Sequence, residues 1–221
     1  MNKITIIGDS LLKGVVYDET IHRHKVLKNS GINQLVTNGF EIDNMAKFGL
    51  TIDKASKLIK EEVLSKNQKV LIEIGGNDCD YNWDDVSLDP YKPHQTKTPL
   101  SQFETSLEAL ISYLLERDVQ PVLVSIPPLD DRLFFDFISK NRDKNSIMAF
   151  LGETKKIYYH QQQYNDVIKK VSDKYQTAYI PLRETIESFG NLKSLYCLDG
   201  MHLNELGQTI IFETIKKYLT Q

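Results

Sequence analysis

Two cysteines, Cys79 and Cys197, are all that this chain of 221 residues contains, too few for a disulfide framework and in keeping with a reducing compartment. Long apolar runs are also missing. The stretch Ile4–Ile7 is too short for the apolar core of a signal peptide, and no later run is long enough to span a bilayer, so the expectation is a cytoplasmic protein with no stable membrane insertion. No dense block of basic charge occurs. Lys and Arg number 27 against 30 Asp and Glu, a formal net charge of −3, which makes nucleic acid a poor partner and leaves a small-molecule substrate as the expectation. Repeats at a fixed period and low-complexity tracts are absent, which excludes solenoids and arrays. With 41% hydrophobic and 26% charged residues, the chain has room for one sizeable core, and a single domain over residues 1–221 is expected.

What is present is an alternation of two patterns. Lys3–Ile7, Lys69–Ile74 and Pro121–Ile126 are short, β-branched and nearly continuous in apolarity, as strands buried on both faces of a parallel sheet are. Thr177–Ile180 reads the same way more weakly, and Phe40–Met45 is a further candidate. Between them, Thr51–Leu64, Leu100–Leu115, Thr154–Tyr175 and Glu205–Leu219 carry apolar residues at helical spacing. Strand and helix in turn point to an α/β fold with helices on both faces of a parallel sheet, and to a site at the carboxyl ends of its strands. Two segments, about 79–98 and 127–152, break the rhythm and read as long loops or insertions.

Three short motifs sit at such strand ends or on a late loop. Gly8-Asp9-Ser10 follows the first strand, where Ser10 is well placed as a nucleophile; equally, Asp9 or Ser10 caps a helix. Gly75-Gly76-Asn77-Asp78 follows another strand, where Asn77 can aim its amide at a developing oxyanion; taken alone, the same residues make an ordinary turn. Asp199-Gly200-Met201-His202 precedes the last helix, and an acid three residues before a histidine can turn back onto its Nδ1–H, leaving Nε2 to take a proton from a serine; taken alone, His202 is an ordinary surface histidine.

Together, in this order, the motifs resemble the SGNH branch of the GDSL-type lipase and esterase family over nearly the whole chain. The resemblance implies a three-layer α/β/α sandwich with a central parallel sheet of about five strands, flavodoxin-like in layout. It also implies a serine esterase that works through an acyl-enzyme, with Ser10, Asp199 and His202 as the catalytic residues. The oxyanion hole would be formed by Ser10, Gly49 and Asn77, and neither a metal nor an organic cofactor is implied. Gly49 is the loosest of these matches, since a helix-start glycine explains it equally well. The first motif continues Leu11-Leu12 where the family has a single leucine.

The remaining candidates are weaker. His22 and His24 flank Arg23, but an i, i+2 pair in a strand points to opposite sides and no third ligand is evident, so solvated histidines are expected, as for His94 and His160. Cys79 and Cys197 approach each other if the motifs converge. Trp83, Phe134 and Phe135, with Tyr81 and Phe137, line a substrate pocket or else close a subsidiary core or a dimer contact. Three functions stay open: hydrolysis of small acyl esters such as carbohydrate O-acetyl groups, a lysophospholipase or thioesterase acting on longer acyl chains, and a catalytically silent binding module.

Overall fold

A computed structural model describes residues 3–221. From the N-terminus, β1 (Ile4–Gly8) leads through a short helix α1 (Ser10–Lys13) into an antiparallel hairpin of β2 (Val15–Asp18) and β3 (Arg23–Val26), then α2 (Gly31–Thr37) and β4 (Ile42–Asn44). Next come α3 (Ile52–Glu61), β5 (Lys69–Glu73), α4 (Trp83–Leu88), α5 (Leu100–Leu115) and β6 (Gln120–Val124). The chain continues through α6 (Asp131–Ser139), α7 (Lys144–Leu151), the long α8 (Lys155–Tyr175), β7 (Ala178–Ile180), α9 (Leu182–Glu187), a 3-10 turn at Leu192–Leu195 and α10 (Glu205–Leu219).

The main sheet has five strands in the order β4-β1-β5-β6-β7, every pair parallel. Its strands are apolar on both faces because both are covered. Ile4 and Ile6 of β1, Leu71 of β5, Val122 and Val124 of β6 and Ile180 of β7 face one layer, built from α1, α2, α9 and α10. Ile7, Val70, Ile72 and Leu123 alternate to the other face, against α3, α5 and α8. Each such buried aliphatic side chain contributes roughly 1.5–3 kcal/mol to folding. In this three-layer α/β/α sandwich the strand order reverses direction between β1 and β5. Connections leave to opposite faces there, and a crevice opens at the strands' carboxyl ends.

The two segments expected to be loops both contain helix, a short one in the first and most of the second. α4 lies in the first, and α6 and α7 lie in the second. Asn82, Asp130 and Asp143 cap these helices by accepting from backbone N–H groups of the first turn. Trp83, Val86, Phe134, Phe135, Ile138, Ile147, Leu151 and Ile157 form a third core among them. The expected edge strand is shorter than the Phe40–Met45 run, covering only Ile42–Asn44. Among the described residues no helix is long and apolar enough to cross a membrane.

The layer over α1 depends on a close helix contact. A Cβ at Gly31 would lie 2.6 Å from the Gln208 carbonyl oxygen and 2.9 Å from Ile211 Cβ. Gln208 also accepts from the Gly31 N–H and donates to the Leu11 carbonyl. Gly31→Ala is therefore expected to lower stability by about 1–3 kcal/mol through overpacking, despite alanine's better helix propensity. An unchanged denaturant midpoint would show that α2 and α10 have room to part.

Candidate active site

The first strand ends at Gly8, and the chain turns at once into α1. Asp9 is the N-cap: its carboxylate accepts from the Leu11 N–H at 2.8 Å. The capping duty thus falls on Asp9, and the buried Ser10 hydroxyl is left free for another partner. That partner is His202, whose Nε2 lies 2.9 Å from Ser10 Oγ.

His202 reaches this point from the far end of the chain, on the loop before α10. Asn204 caps that helix through the N–H groups of Leu206 and Gly207. Gly200 has φ +67°, and a Cβ there would stand 2.3 Å from the Phe134 nitrogen, so only glycine allows the loop to dock on the start of α6. The Gly200 carbonyl accepts from the Asp130 N–H at 2.9 Å, fixing the contact. The tight turn brings Asp199 back on His202, with Oδ2 2.7 Å from Nδ1, while Oδ1 accepts from the backbone N–H groups of Met201 and His202. Burial works to raise the Asp199 pKa, but the bonds and charge of His202 and the backbone donors outweigh it and hold the carboxyl below its usual range. An ionised Asp199 can only accept, which puts a proton on His202 Nδ1 and leaves Nε2 as the acceptor facing Ser10. The resulting line of hydrogen bonds can draw a proton from the serine hydroxyl.

Asn77 stands on the loop after β5, across the strand-order reversal from Ser10. Its Nδ2 donates to Asp9 Oδ2 at 2.8 Å, so one carboxylate both caps α1 and orients the amide. Beneath them lies Glu73, fully buried, with its Oε2 taking the Asp9 N–H at 3.4 Å. Burial, and then the neighbouring Asp9 charge, push Glu73 well above the ordinary carboxylate range. Gly49 follows a segment that extends along β1, in which the Met45 and Lys47 N–H groups donate to the Ile6 and Gly8 carbonyls. It adopts φ +68°, and the ring of the preceding Phe48 stacks on His202 with centroids 6.1 Å apart. Asp78 closes the arrangement by accepting from the Ile52 N–H at the start of α3 with both oxygens, at 3.1 and 3.2 Å. The Asn77 loop and the Gly49 turn are thereby tied together.

A cavity of about 480 Å³ opens beside Ser10 and runs between α4, α6, α7 and α8. Trp83, Phe134, Phe150, Ile157 and Met201 line it. Phe135 does not. It is buried in the third core with its ring under Lys144, because adjacent residues on a helix point about 100° apart and only Phe134 can face the cavity. The aromatic segments thus form both a subsidiary core and one wall of a pocket.

Two of the histidines expected to be solvated, His160 and His24, make specific contacts at the site. His160 is half-buried in the cavity wall, with Nε2 3.0 Å from the Cys79 carbonyl and its ring stacked on Tyr81, and burial lowers its pKa. His24 is an exposed residue whose ring reaches the site, with Nε2 3.1 Å from Asp199 Oδ2. No sequence signal marks it, since the contact joins residues 175 positions apart. His24, Asp199 and His202 place potential ligand atoms within 4.8 Å of one another. Their contacts of 2.7 and 3.1 Å are hydrogen-bond distances, shorter than the roughly 3.3 Å that a tetrahedral zinc ion sets between its ligands. The cysteines are free thiols with separate partners: Cys79 Sγ donates to the Gly76 carbonyl, and Cys197 Sγ accepts from the Tyr17 N–H. Burial raises both, Cys197 to about 11, so neither is a ready thiolate.

A family model described as the GDSL-like Lipase/Acylhydrolase family matches residues 6–210. Among curated proteins none matches the chain significantly by sequence. Solved structures share its fold at low identity. A lipase/acylhydrolase from Enterococcus faecalis superposes with a TM-score of 0.66 at 17% identity, covering 99% of this chain and 95% of the other. An acetylxylan esterase from Geobacillus stearothermophilus gives 0.66 at 17%, covering 100% and 94%. A member of the lipolytic protein G-D-S-L family from Veillonella parvula gives 0.67 at 11%, with both chains covered completely.

Asp78 makes a testable contribution. Burial raises its pKa to about 6, above the value near 3.9 of an unfolded aspartate. The folded state therefore binds more protons between about pH 4 and pH 6, and this group's contribution to stability falls as pH rises through that window. Asp78→Asn keeps an acceptor for the Ile52 N–H but does not titrate. Its thermal stability relative to the unsubstituted protein should rise from pH 4 to pH 7, by up to about 2 kcal/mol. A difference that is flat with pH would show that Asp78 is not perturbed.

Proposed function

We propose that this chain, which belongs to the GDSL-like lipase/acylhydrolase family, is a serine hydrolase of carboxylic esters with Ser10 as nucleophile, His202 as its base and Asp199 as the group that orients and balances the histidine. The observation that carries this reading is the unbroken line from Ser10 Oγ through His202 to Asp199 Oδ2, at 2.9 and 2.7 Å. A serine hydroxyl is a weak nucleophile until a base takes its proton as it attacks, and His202 is held in the tautomer that does so. The imidazolium that forms is stabilised by the buried Asp199 carboxylate.

The attacked carbonyl oxygen becomes negative and needs donors. The Ser10 and Gly49 backbone N–H groups and the Asn77 amide are the proposed set, with Asn77 prepositioned by Asp9. Losing one such donor typically costs about 3–4 kcal/mol of barrier lowering. His202 then returns its proton to the departing alcohol, and water attacks the Ser10 acyl ester by the same route. Each step is a proton or acyl transfer that these side chains can carry out without a metal or cofactor.

The acyl group has two readings. Similarity to the Geobacillus acetylxylan esterase favours a small acyl ester, carbohydrate O-acetyl among them. The apolar cavity of about 480 Å³ next to Ser10 favours a longer chain, because it offers far more buried apolar surface than an acetyl group can use.

Aryl esters of increasing acyl length decide between them. Ser10→Ala should reduce hydrolysis of every ester to the uncatalysed background. If the cavity takes the acyl chain, kcat/KM should climb from acetate to octanoate, by up to about fourfold per added methylene. A steady fall from acetate assigns the small-acyl reading instead, and undiminished hydrolysis by Ser10→Ala refutes the assignment of the nucleophile.

A further inference from the structure

We propose that His24 is a positioning residue for hydrolysis: a second imidazole that donates to Asp199 and keeps its carboxylate aligned on His202. This rests on the reading of Ser10, His202 and Asp199 given above. All four residues of the strand that carries His24, β3, are exposed to solvent when the whole residue is counted. Yet the His24 side chain is only 28% exposed, and its Nε2 lies 3.1 Å from the fully buried Asp199 Oδ2. Since an ionised carboxylate only accepts, Nε2 carries the proton.

The carboxylate then has four donors. Oδ1 takes the Met201 and His202 backbone N–H groups, and Oδ2 takes His202 Nδ1–H and His24 Nε2–H. Four is the full acceptor capacity of a carboxylate, so the plane of Asp199 is fixed from every side. Without His24 the second site on Oδ2 would be left empty or would go to water. An empty site leaves a buried charge under-bonded, while water competes for the oxygen that must hold His202.

The imidazole is itself held in place. Its ring lies 4.7 Å from that of His202, 5.2 Å from Tyr17, 5.5 Å from Phe48 and 6.4 Å from Phe137, centroid to centroid. Tyr17 is the residue opposite His24 in the hairpin, and its N–H donates to Cys197 Sγ, two residues before Asp199. The hairpin is thus pinned to the loop whose carboxylate it supports.

The experiment compares His24→Leu, His24→Gln, Lys25→Ala and Ser10→Ala on one aryl ester. Leucine removes the donor, whereas a glutamine amide reaches to about where Nε2 stands. Lys25→Ala removes the ion pair with Asp18 across the same hairpin but leaves Asp199 alone. Expected are a fall in kcat of about tenfold or more in His24→Leu with KM little changed, recovery of most of the loss in His24→Gln, and an unaltered kcat in Lys25→Ala. An unchanged kcat in His24→Leu overturns the proposal. So does a His24→Gln enzyme far slower than the unsubstituted one, which also decides the matter if the leucine variant fails to fold, or an equal loss in Lys25→Ala, which would make His24 a hairpin anchor only. Undiminished turnover by Ser10→Ala would instead overturn the reading of the site on which the proposal rests.

Discussion

A carboxylate removed from water must be satisfied on every side, and Asp199 is the place where this chain meets that demand. The charge of a buried, ionised aspartate is tolerable only because four N–H groups converge on it, two from its own tight turn and two from imidazoles. The surrounding architecture follows from delivering those donors. Gly200 takes a left-handed conformation so that the turn can close against α6, and α10 begins immediately afterwards, holding His202 over the end of β1. The hairpin after α1 folds back to bring in the last donor.

The opposite wall of the crevice is arranged by a second set of acids with different tasks. Asp9 caps α1 and orients Asn77, the buried Glu73 accepts from the Asp9 N–H beneath it, and Asp78 ties the Asn77 loop to the start of α3. Each restricts a group that would otherwise sample several conformations. In the proposed reaction, that restriction matters because donors already aimed at the developing oxyanion need no reorganisation when charge appears. Strand order places the two walls together: β1 and β5 are neighbours whose onward connections leave for opposite faces of the sheet.

How much of this was legible depended on the range of the interactions. The five sheet strands follow from short, β-branched, nearly continuous apolar runs and the four long helices from a periodicity of 3.6, all of them local, and the motifs at two strand ends and on the late loop singled out Ser10, Asn77, Asp199 and His202. The hairpin β2–β3 and the helices α2, α4, α6, α7 and α9 were not legible, because elements this short are set by caps and by the core they join more than by their own pattern. Phe134 and Phe135 could not be told apart until α6 fixed which one faces the cavity. His24 was hidden for the same reason in stronger form. Its spacing from His22 carries no information, and its role depends on an oxygen that only the folded chain brings within reach.

The most direct test of the central claim is covalent. Folded protein treated with a fluorophosphonate and mapped by peptide mass spectrometry should carry one adduct, on Ser10, and His202→Ala should form it far more slowly because no base is left to take the serine proton. Folded protein in which Ser10 stays unlabelled would contradict the account.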